Sequence, residues 1–161
     1  MKDKYFLYVG NAYPHKNVEV LVAAAKLAGV RVVYVGKNDY FYKRLGITPR
    51  SVSDAELETL YKNAQALVFP SLMEGFGLPA LEALRNNCPV ILSDIPVFHE
   101  LFGDVPSYFN PHDVNALVTL LQNPPPKPKH IANILAKFSW QKMAKETLSV
   151  YETSAGVRSG E

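Results

Sequence analysis

Residues 66–85 read ALVFPSLMEGFGLPALEALR, and they join an apolar run to an amphipathic one through a loop that contains two glycines. The run at 66–69 is apolar at every position, which is typical of a strand covered on both faces. A helix is predicted over 78–85, ending at Asn86 or Asn87, because asparagine tolerates left-handed backbone. A strand, a glycine turn and a helix in this order form the repeating unit of a parallel α/β sheet.

The same alternation recurs along the rest of the chain. Further strands are predicted at 5–9, 31–35, 89–92 and 107–109. Further helices are predicted at 18–28, from 53 onward, at 96–101, from 113 to before Pro124, and twice near the end, the last over 139–153. We therefore predict a doubly wound parallel sheet with helices on both faces. Residues 1–153 would form one domain, followed by a frayed tail at 154–161.

Polar residues mark the starts of three predicted helices. Asn17 and Asp113 each precede an apolar periodic segment and are good N-caps. Ser53 is followed three residues later by Glu56, which is the pattern of a capping box. The stretch after the aromatic residues 40–42 shows no period and is predicted to be irregular as far as Pro49.

Composition excludes several classes of protein. The chain of 161 residues has a net charge of +2, too small and too scattered to indicate a nucleic-acid partner. Cys88 is its only cysteine, so neither an intrachain disulfide nor a cysteine zinc site is expected. Residues 1–4 do not have the form of a signal peptide, and no run approaches the roughly 20 apolar residues that span a bilayer. We expect a cytoplasmic protein, with peripheral membrane attachment through a partner left open.

The loop at 70–77 carries the strongest signal for a binding site. Ligands of such sheets bind beyond the carboxyl ends of the strands. Gly75 and Gly77 let the backbone approach a ligand, and the helix that follows offers free N–H groups to a phosphate. Glu74 and Glu82 flank this turn and could accept hydrogen bonds from sugar hydroxyls. From the spacing alone, an equally good interpretation is a tight turn that binds no ligand, with Glu82 exposed to solvent.

The loop at 10–17 carries a second signal. Lys16 stands before a predicted helix at the same edge of the sheet, where its charge can neutralise a diphosphate. Taken alone, this loop favours an ordinary exposed lysine.

Several ordered segments together resemble the retaining glycosyltransferases of the GT-B fold, often called family 4. Residues 74–82, EGFGLPALE, look like the E-x7-E signature of that family. The segments YVG at 8–10, PHKN at 14–17, SDAEL at 53–57 with LY at 60–61, FPS at 69–71 and FSW at 138–140 follow its pattern in order. The resemblance covers residues from about 5 to 151 and implies a Rossmann-like GT-B C-terminal domain that binds a nucleotide-sugar.

The resemblance also implies roles for individual residues. Lys16 would bind the donor diphosphate, and Glu74 would bind the transferred sugar near the reacting carbon, so both count as catalytic. Glu82 would bind the ribose. The backbone amides around Phe76, Gly77 and Leu78 would hold the distal phosphate and the sugar. The backbone at 36–37 and 52–53 would flank the base. The donor-binding set is then Gly10, Asn11, Lys16, Gly36, Val52, Ser53, Glu74, Gly75, Phe76, Gly77, Leu78 and Glu82. No metal or other cofactor is expected, and the anomeric configuration would be retained.

The chain departs from the family pattern in three ways. Asn11 stands where many relatives place an arginine, as a second phosphate clamp. The segment 37–51 is short, with ITPR at 47–50 where a strand and a glycine are usual. The amino-terminal acceptor-binding domain of the family is absent, so the resemblance implies an excised domain or one subunit of a split enzyme, inactive alone.

Other functions fit the sequence less well. The four histidines lack metal-ligand spacing, no G-x-G-x-x-G follows the first two strands, and no G-K-[ST] indicates a P-loop. The leading prediction is a hexosyltransferase donor domain for a glycan or lipid-linked acceptor, with the PHKN loop favouring GDP-mannose or a similar GDP-sugar. A non-catalytic nucleotide-sugar-binding module and a nucleotide-sugar 2-epimerase are the alternatives. The last helix is predicted to leave an apolar face with Met143 and Leu148 uncovered or paired in a homodimer.

Overall fold

The computed structural model describes residues 4–129 and 131–154. These residues form a five-stranded sheet in which all four pairs of neighbouring strands are parallel. The strands are β1 (Phe6–Val9), β2 (Val32–Val35), β3 (Leu67–Phe69), β4 (Val90–Ser93) and β5 (Ser107–Phe109). Their order across the sheet is β2-β1-β3-β4-β5. The prediction of a parallel α/β sheet is confirmed.

Helices alternate with the strands along the chain. They are α1 (Val18–Ala28), α2 (Tyr40–Arg44), α3 (Asp54–Asn63), α4 (Leu78–Arg85), α5 (Pro96–Phe102), α6 (Val114–Gln122), α7 (Ala132–Lys137) and α8 (Trp140–Ser154). A single 3-10 turn, Pro14–Lys16, precedes α1 among the described residues. The chain divides into two compact units, one up to residue 130 and one from 131 onward. The first unit contains the whole sheet.

The strand order creates a switch point between β1 and β3. From β1 the chain moves outward to β2, and it then returns to place β3 on the other side of β1. Connections between parallel strands are right-handed. When one connection moves to the left across the sheet and another moves to the right, their helices therefore lie on opposite faces. Accordingly α1 packs with α6, while α3 packs with α4. The loops after β1 and β3 leave the sheet side by side at this switch point, which is where such folds bind ligands.

The central strands are buried because the helices cover them from both sides. Leu7, Leu67 and Ile91 are fully excluded from solvent. Each such side chain contributes about 1.5–3 kcal/mol to folding relative to an exposed position. The continuous apolar runs of the sequence therefore correspond to strands without a solvent face.

Two of the three predicted helix caps are confirmed. Ser53 accepts from the backbone N–H of Glu56, whose side chain in turn accepts from Ser53, completing the capping box. Asp113 accepts from two N–H groups in the first turn of α6. Asn17 occupies the N-cap position of α1 but makes no side-chain cap. Its backbone is left-handed, with φ 53° and ψ 35°, and its side-chain amide donates to the carbonyl of Pro111 instead.

Ser53→Ala is expected to lower the free energy of unfolding by about 1 kcal/mol, the usual cost of losing an N-cap. Ser51→Ala is the matched control, because Ser51 is an exposed serine two residues earlier and caps no described helix. Urea denaturation of both variants measures the difference. Equal stability of the two would show that the capping box contributes nothing.

The stretch after β2 is more ordered than its sequence pattern indicates. Asp39 caps α2 by accepting from the N–H groups of Phe41 and Tyr42. Arg50 forms an isolated parallel bridge with Val35, so the chain extends the edge of the sheet at Arg50. The prediction of an irregular stretch after residue 42 is wrong for Lys43 and Arg44, which belong to the five-residue helix that Asp39 caps.

The second unit contains α7 and α8. The last helix was predicted to begin at Ser139, and Lys142 donates its N–H to the Ser139 hydroxyl one turn later. Met143 and Leu148 are 52% and 56% exposed, as predicted for an uncovered apolar face. A homodimer through this face stays a prediction. Of the predicted tail, Ser154 ends α8, and the remainder lies outside the described residues.

Candidate functional site

The loops after β1 and β3 meet at the switch point. Leu72 donates its N–H to the carbonyl of His15 at 2.8 Å, which joins the two loops directly. The 3-10 turn Pro14–Lys16 then directs the Lys16 side chain toward the β3 loop. The two catalytic candidates of the sequence are brought together by this contact, although 58 residues separate them in the chain.

Lys16 and Glu74 form the centre of the site. Lys16 Nζ lies 2.6 Å from Glu74 Oε1, and the two side chains are only 15% and 9% exposed. The hydroxyl of Ser71, a buried residue, donates to the same oxygen at 2.7 Å. Lys16 Nζ also lies 5.5 Å from the centre of the Phe69 ring, a favourable position for a cation. The pair is thus held in place before any ligand arrives.

The glycine turn ends in an open helix N-terminus. Gly77 has φ 89° and ψ 50°, a left-handed conformation that glycine adopts without strain. A Cβ added at Gly77 would also lie 2.9 Å from the Phe98 ring, so a larger residue does not fit. The N–H groups of Gly77 and Leu78 donate to no described residue, and Pro79 has none to donate. Free N–H groups and the helix dipole together favour an anion here.

Glu82 lies on the first two turns of α4 and is not a plain solvated side chain. Its Oε2 accepts a hydrogen bond of 2.9 Å from the hydroxyl of Tyr61 on α3. Tyr61 is buried, and burial together with the Glu82 carboxylate raises the pKa of its phenol. Tyr61 therefore remains a donor at any physiological pH and holds Glu82 in a fixed orientation.

Two buried tyrosines hold the first loop. The Tyr8 hydroxyl donates to the carbonyl of Asn11 at 2.6 Å, and the Tyr42 hydroxyl donates to the carbonyl of Gly10 at 2.9 Å. Burial raises the pKa of both phenols, so they stay protonated. Gly36 packs directly against this loop, since a Cβ on it would lie 2.1 Å from the Gly10 carbonyl oxygen. These contacts with Tyr8, Tyr42 and Gly36 therefore fix the backbone of Gly10 and Asn11.

Tyr42→Phe is expected to lower the free energy of unfolding by about 1–2 kcal/mol, because it leaves the Gly10 carbonyl without its donor. Tyr40→Phe is the matched control, since Tyr40 is 70% exposed and its hydroxyl bonds to no residue that the structure describes. Chemical denaturation distinguishes the two. A loss of stability in both variants, or in neither, would contradict this assignment.

The remaining predicted site residues lie around this centre. Gly75 is exposed and Phe76 is half-buried, both on the turn before α4. Val52 is half-buried and Ser53 is exposed, beyond the end of β2. The N–H of Ser53 donates to the Glu56 side chain, so this N–H already has an acceptor within the chain. The roles of Gly75 and Phe76 toward phosphate and sugar, and of Val52 and Ser53 toward a base, stay predictions.

Sequence reasoning gave no role to Ser71, Tyr61, Tyr8 and Tyr42. Ser71 and Tyr61 stand inside segments that carry the family resemblance, and this is the signal that could have found them. Tyr8 also lies in such a segment, YVG, and its hydroxyl donates to the carbonyl of Asn11 in the adjacent loop, whereas Tyr42 donates to the carbonyl of Gly10, which is distant in sequence. No local pattern indicates such contacts.

An anion site at the switch point of a doubly wound sheet is the feature of nucleotide-binding proteins. Comparison with known proteins defines the family: residues 1–133 match the family described as Glycosyl transferases group 1. The chain belongs to this family.

The chain is similar to curated mannosyltransferases. It is 35% identical to the O-antigen chain mannosyltransferase RfbU of Salmonella typhimurium over 88% of this chain and 45% of that protein. It is 30% identical to the O-antigen chain mannosyltransferase B of Escherichia coli over 92% of this chain and 45% of that protein. The chain thus spans under half the length of these relatives.

Solved structures support the fold. A sucrose-phosphate synthase from Thermosynechococcus elongatus superposes with a TM-score of 0.77 and 24% identity, over 98% of this chain and 47% of that one. The structure named TarM superposes with a TM-score of 0.69 and 15% identity, over 94% of this chain and 35% of that one. The predicted Rossmann-like GT-B domain is confirmed at the level of fold. Among the described helices, none is long and apolar enough to cross a bilayer.

Proposed function

We propose that this chain is the donor-binding domain of a mannosyltransferase that uses GDP-mannose in polysaccharide assembly. The observation that carries the proposal is the largely buried Lys16–Glu74 pair at the switch point, beside the open N-terminus of α4. This arrangement supplies groups for both parts of a nucleotide-sugar, the anionic diphosphate and the neutral hexose. The similarity to mannosyltransferases supports the choice of sugar.

The diphosphate would lie between Lys16 and the N-terminus of α4. An ammonium group has three N–H donors, and Glu74 uses one of those on Lys16, so two are left for phosphate oxygens. The N–H groups of Gly77 and Leu78 would bind the phosphate from the other side. These fixed donors would also stabilise the charge that develops on the leaving diphosphate. We propose that they do so without a metal ion.

The hexose would bind at Glu74. Oε1 of this carboxylate accepts from Lys16 and Ser71, whereas Oε2 accepts from no described residue. A carboxylate oxygen in a largely buried position is a strong acceptor for hexose hydroxyls. Glu82, oriented by Tyr61, would accept from the ribose hydroxyls in the same way.

Transfer itself would need a second half. The chain spans 45% of its two O-antigen relatives, and we propose that an N-terminal domain or a partner subunit binds the acceptor across the cleft. The acceptor would attack from the face that the diphosphate leaves, which retains the anomeric configuration. The chain alone is then a nucleotide-sugar-binding module without transfer activity. Transfer that appears only when the second half is added would separate the catalytic role from a binding role.

A thermal-shift panel with GDP-, UDP-, ADP- and CMP-sugars tests the donor assignment. GDP-mannose at 100 times its dissociation constant is expected to stabilise the fold by about 2.7 kcal/mol. Glu82→Ala is expected to abolish this shift, and Glu100→Ala, an exposed helical glutamate on α5, is expected to keep it. If a sugar of another nucleotide stabilises the chain instead, the guanine base in the proposal would be replaced by the base of that nucleotide. No stabilisation by any of the four would refute the proposal.

A further inference from the structure

A cavity lies at the same edge of the sheet as the donor loops, beyond β4 and β5. Its volume is about 450 Å³, and it is lined by Leu72, Asp94, Ile95, Asn110, Pro111 and His112. Pockets of this size hold small molecules. The nucleotide-sugar site described above uses none of these residues.

The cavity is joined to the donor loops on two sides. Leu72 belongs to the β3 loop, two residues before Glu74, and its N–H is bonded to His15 of the β1 loop. Asn17, the neighbour of Lys16, donates its side-chain amide to the carbonyl of Pro111 at 2.9 Å. A molecule in the cavity would therefore lie next to the loops that hold the reacting end of the donor.

Asp94 supplies a fixed hydrogen-bond acceptor. Its Oδ1 lies 2.7 Å from His99 Nε2, and the His99 ring stacks on Tyr108 with ring centres 4.0 Å apart. The Tyr108 hydroxyl is in turn bonded to the Gly103 carbonyl at 2.6 Å, so this chain of contacts ends on backbone. Asp94 is 61% exposed, and its Oδ2 accepts from no described residue.

Asn110 supplies the complementary donor. Its Oδ1 accepts from the N–H of His112 at 2.9 Å, which fixes the amide and leaves its NH₂ group without a described acceptor. Ile95 and Pro111 are buried apolar walls, and Leu72 is a partly exposed one. Adjacent acceptor and donor groups over an apolar surface match a pyranose, whose hydroxyls both donate and accept and whose C–H face is apolar.

We propose that this cavity binds a neutral pyranose unit of the acceptor glycan. The proposal rests on the proposed function, because it takes the donor to lie at Lys16 and Glu74. Asp94 and Asn110 would hold the hydroxyls of the acceptor sugar, and Leu72 would contact its apolar face. The chain would then contribute to acceptor recognition as well as to donor binding.

Saturation-transfer NMR with methyl α-D-mannopyranoside tests the cavity. The chain, saturated with GDP-mannose so that the hexose position at Glu74 is filled, is expected to transfer saturation to the methoxy protons of the mannoside. Asp94→Ala is expected to raise the Kd of the mannoside at least tenfold. Asp104→Ala, an exposed aspartate outside the cavity, is expected to leave it unchanged.

The outcomes separate the two proposals. A mannoside signal that is absent, that GDP-mannose displaces, or that Asp94→Ala leaves intact would overturn the acceptor cavity. A thermal shift with GDP-mannose, measured on the same samples, reports donor binding and the fold of each variant. If that shift is absent while the mannoside signal depends on Asp94, the cavity binds a pyranose but the donor assignment fails, and the role of the cavity as an acceptor site fails with it.

Discussion

Lys16→Met is expected to weaken GDP-mannose binding 10- to 100-fold, or by about 1.4–2.8 kcal/mol, since a hydrogen bond to a charged group is worth about that much. The substitution removes the cation that faces the diphosphate. It also leaves the Glu74 carboxylate, which is 9% exposed, without its counter-charge beside an anionic ligand. Both effects act against the donor. Isothermal titration calorimetry on the purified variant measures the change.

The control for this variant is Lys26→Met. Lys26 is an exposed lysine in the last turn of α1, so its replacement by methionine changes the side-chain volume and the charge by the same amounts. Its substitution is expected to leave the Kd within a factor of two. Equal weakening in both variants would mean that only the net charge of the chain matters, and the proposed contact between Lys16 and the diphosphate would be wrong.

Gly36→Ala is expected to lower the free energy of unfolding by about 3 kcal/mol or more, at the upper end of the cost of overpacking. The added Cβ would lie 2.1 Å from the carbonyl oxygen of Gly10. That oxygen belongs to backbone and already accepts from the buried Tyr42, so it cannot move without breaking a second contact. Guanidinium denaturation measures the loss.

Gly75→Ala is the control for the steric argument. Gly75 lies on the turn before α4, and a Cβ added there meets nothing within 4 Å. Its substitution is expected to change stability by less than about 0.5 kcal/mol, as for other unconstrained surface positions. If Gly36→Ala were as well tolerated as Gly75→Ala, the close approach of the β1 and β2 ends would not be a constraint on the site.

The sequence predicted the parts of the fold that depend on local pattern. Residues 66–69 indicated a buried strand because every side chain is apolar, and β3 has no solvent face. The Ser53 and Glu56 pair indicated a capping box because both partners lie within one turn. Such features involve few residues that are close in the chain, so their physics can be evaluated without knowing the fold.

Apart from α2, which the adjacent Asp39 starts, the features that were predicted wrongly or not at all depend on contacts distant in sequence. Asn17 is a good N-cap by type, but the carbonyl of Pro111 takes its side chain, 94 residues away. Arg50 extends the sheet edge only because β2 lies beside it. Neither partner can be identified from the residues around Asn17 or Arg50.

The candidate site was predicted in part, because some of its contacts follow from the sequence and others depend on the packing of the helices. The rule that ligands bind beyond the carboxyl ends of parallel strands placed Lys16 and Glu74 at one edge. The family resemblance supplied their roles, and the structure adds their ion pair and the Ser71 hydroxyl. The orientation of Glu82 by Tyr61 depends on how α3 packs beside α4, which no sequence pattern specified.

The most direct test of the donor site is a titration of the ¹⁵N-labelled chain with GDP-mannose, followed by amide chemical shifts. The largest changes are expected at the backbone N–H groups of Gly77 and Leu78, with smaller ones around Lys16. Changes that saturate with GDP-mannose but lie elsewhere, with Gly77 and Leu78 unmoved, would contradict the proposed donor site.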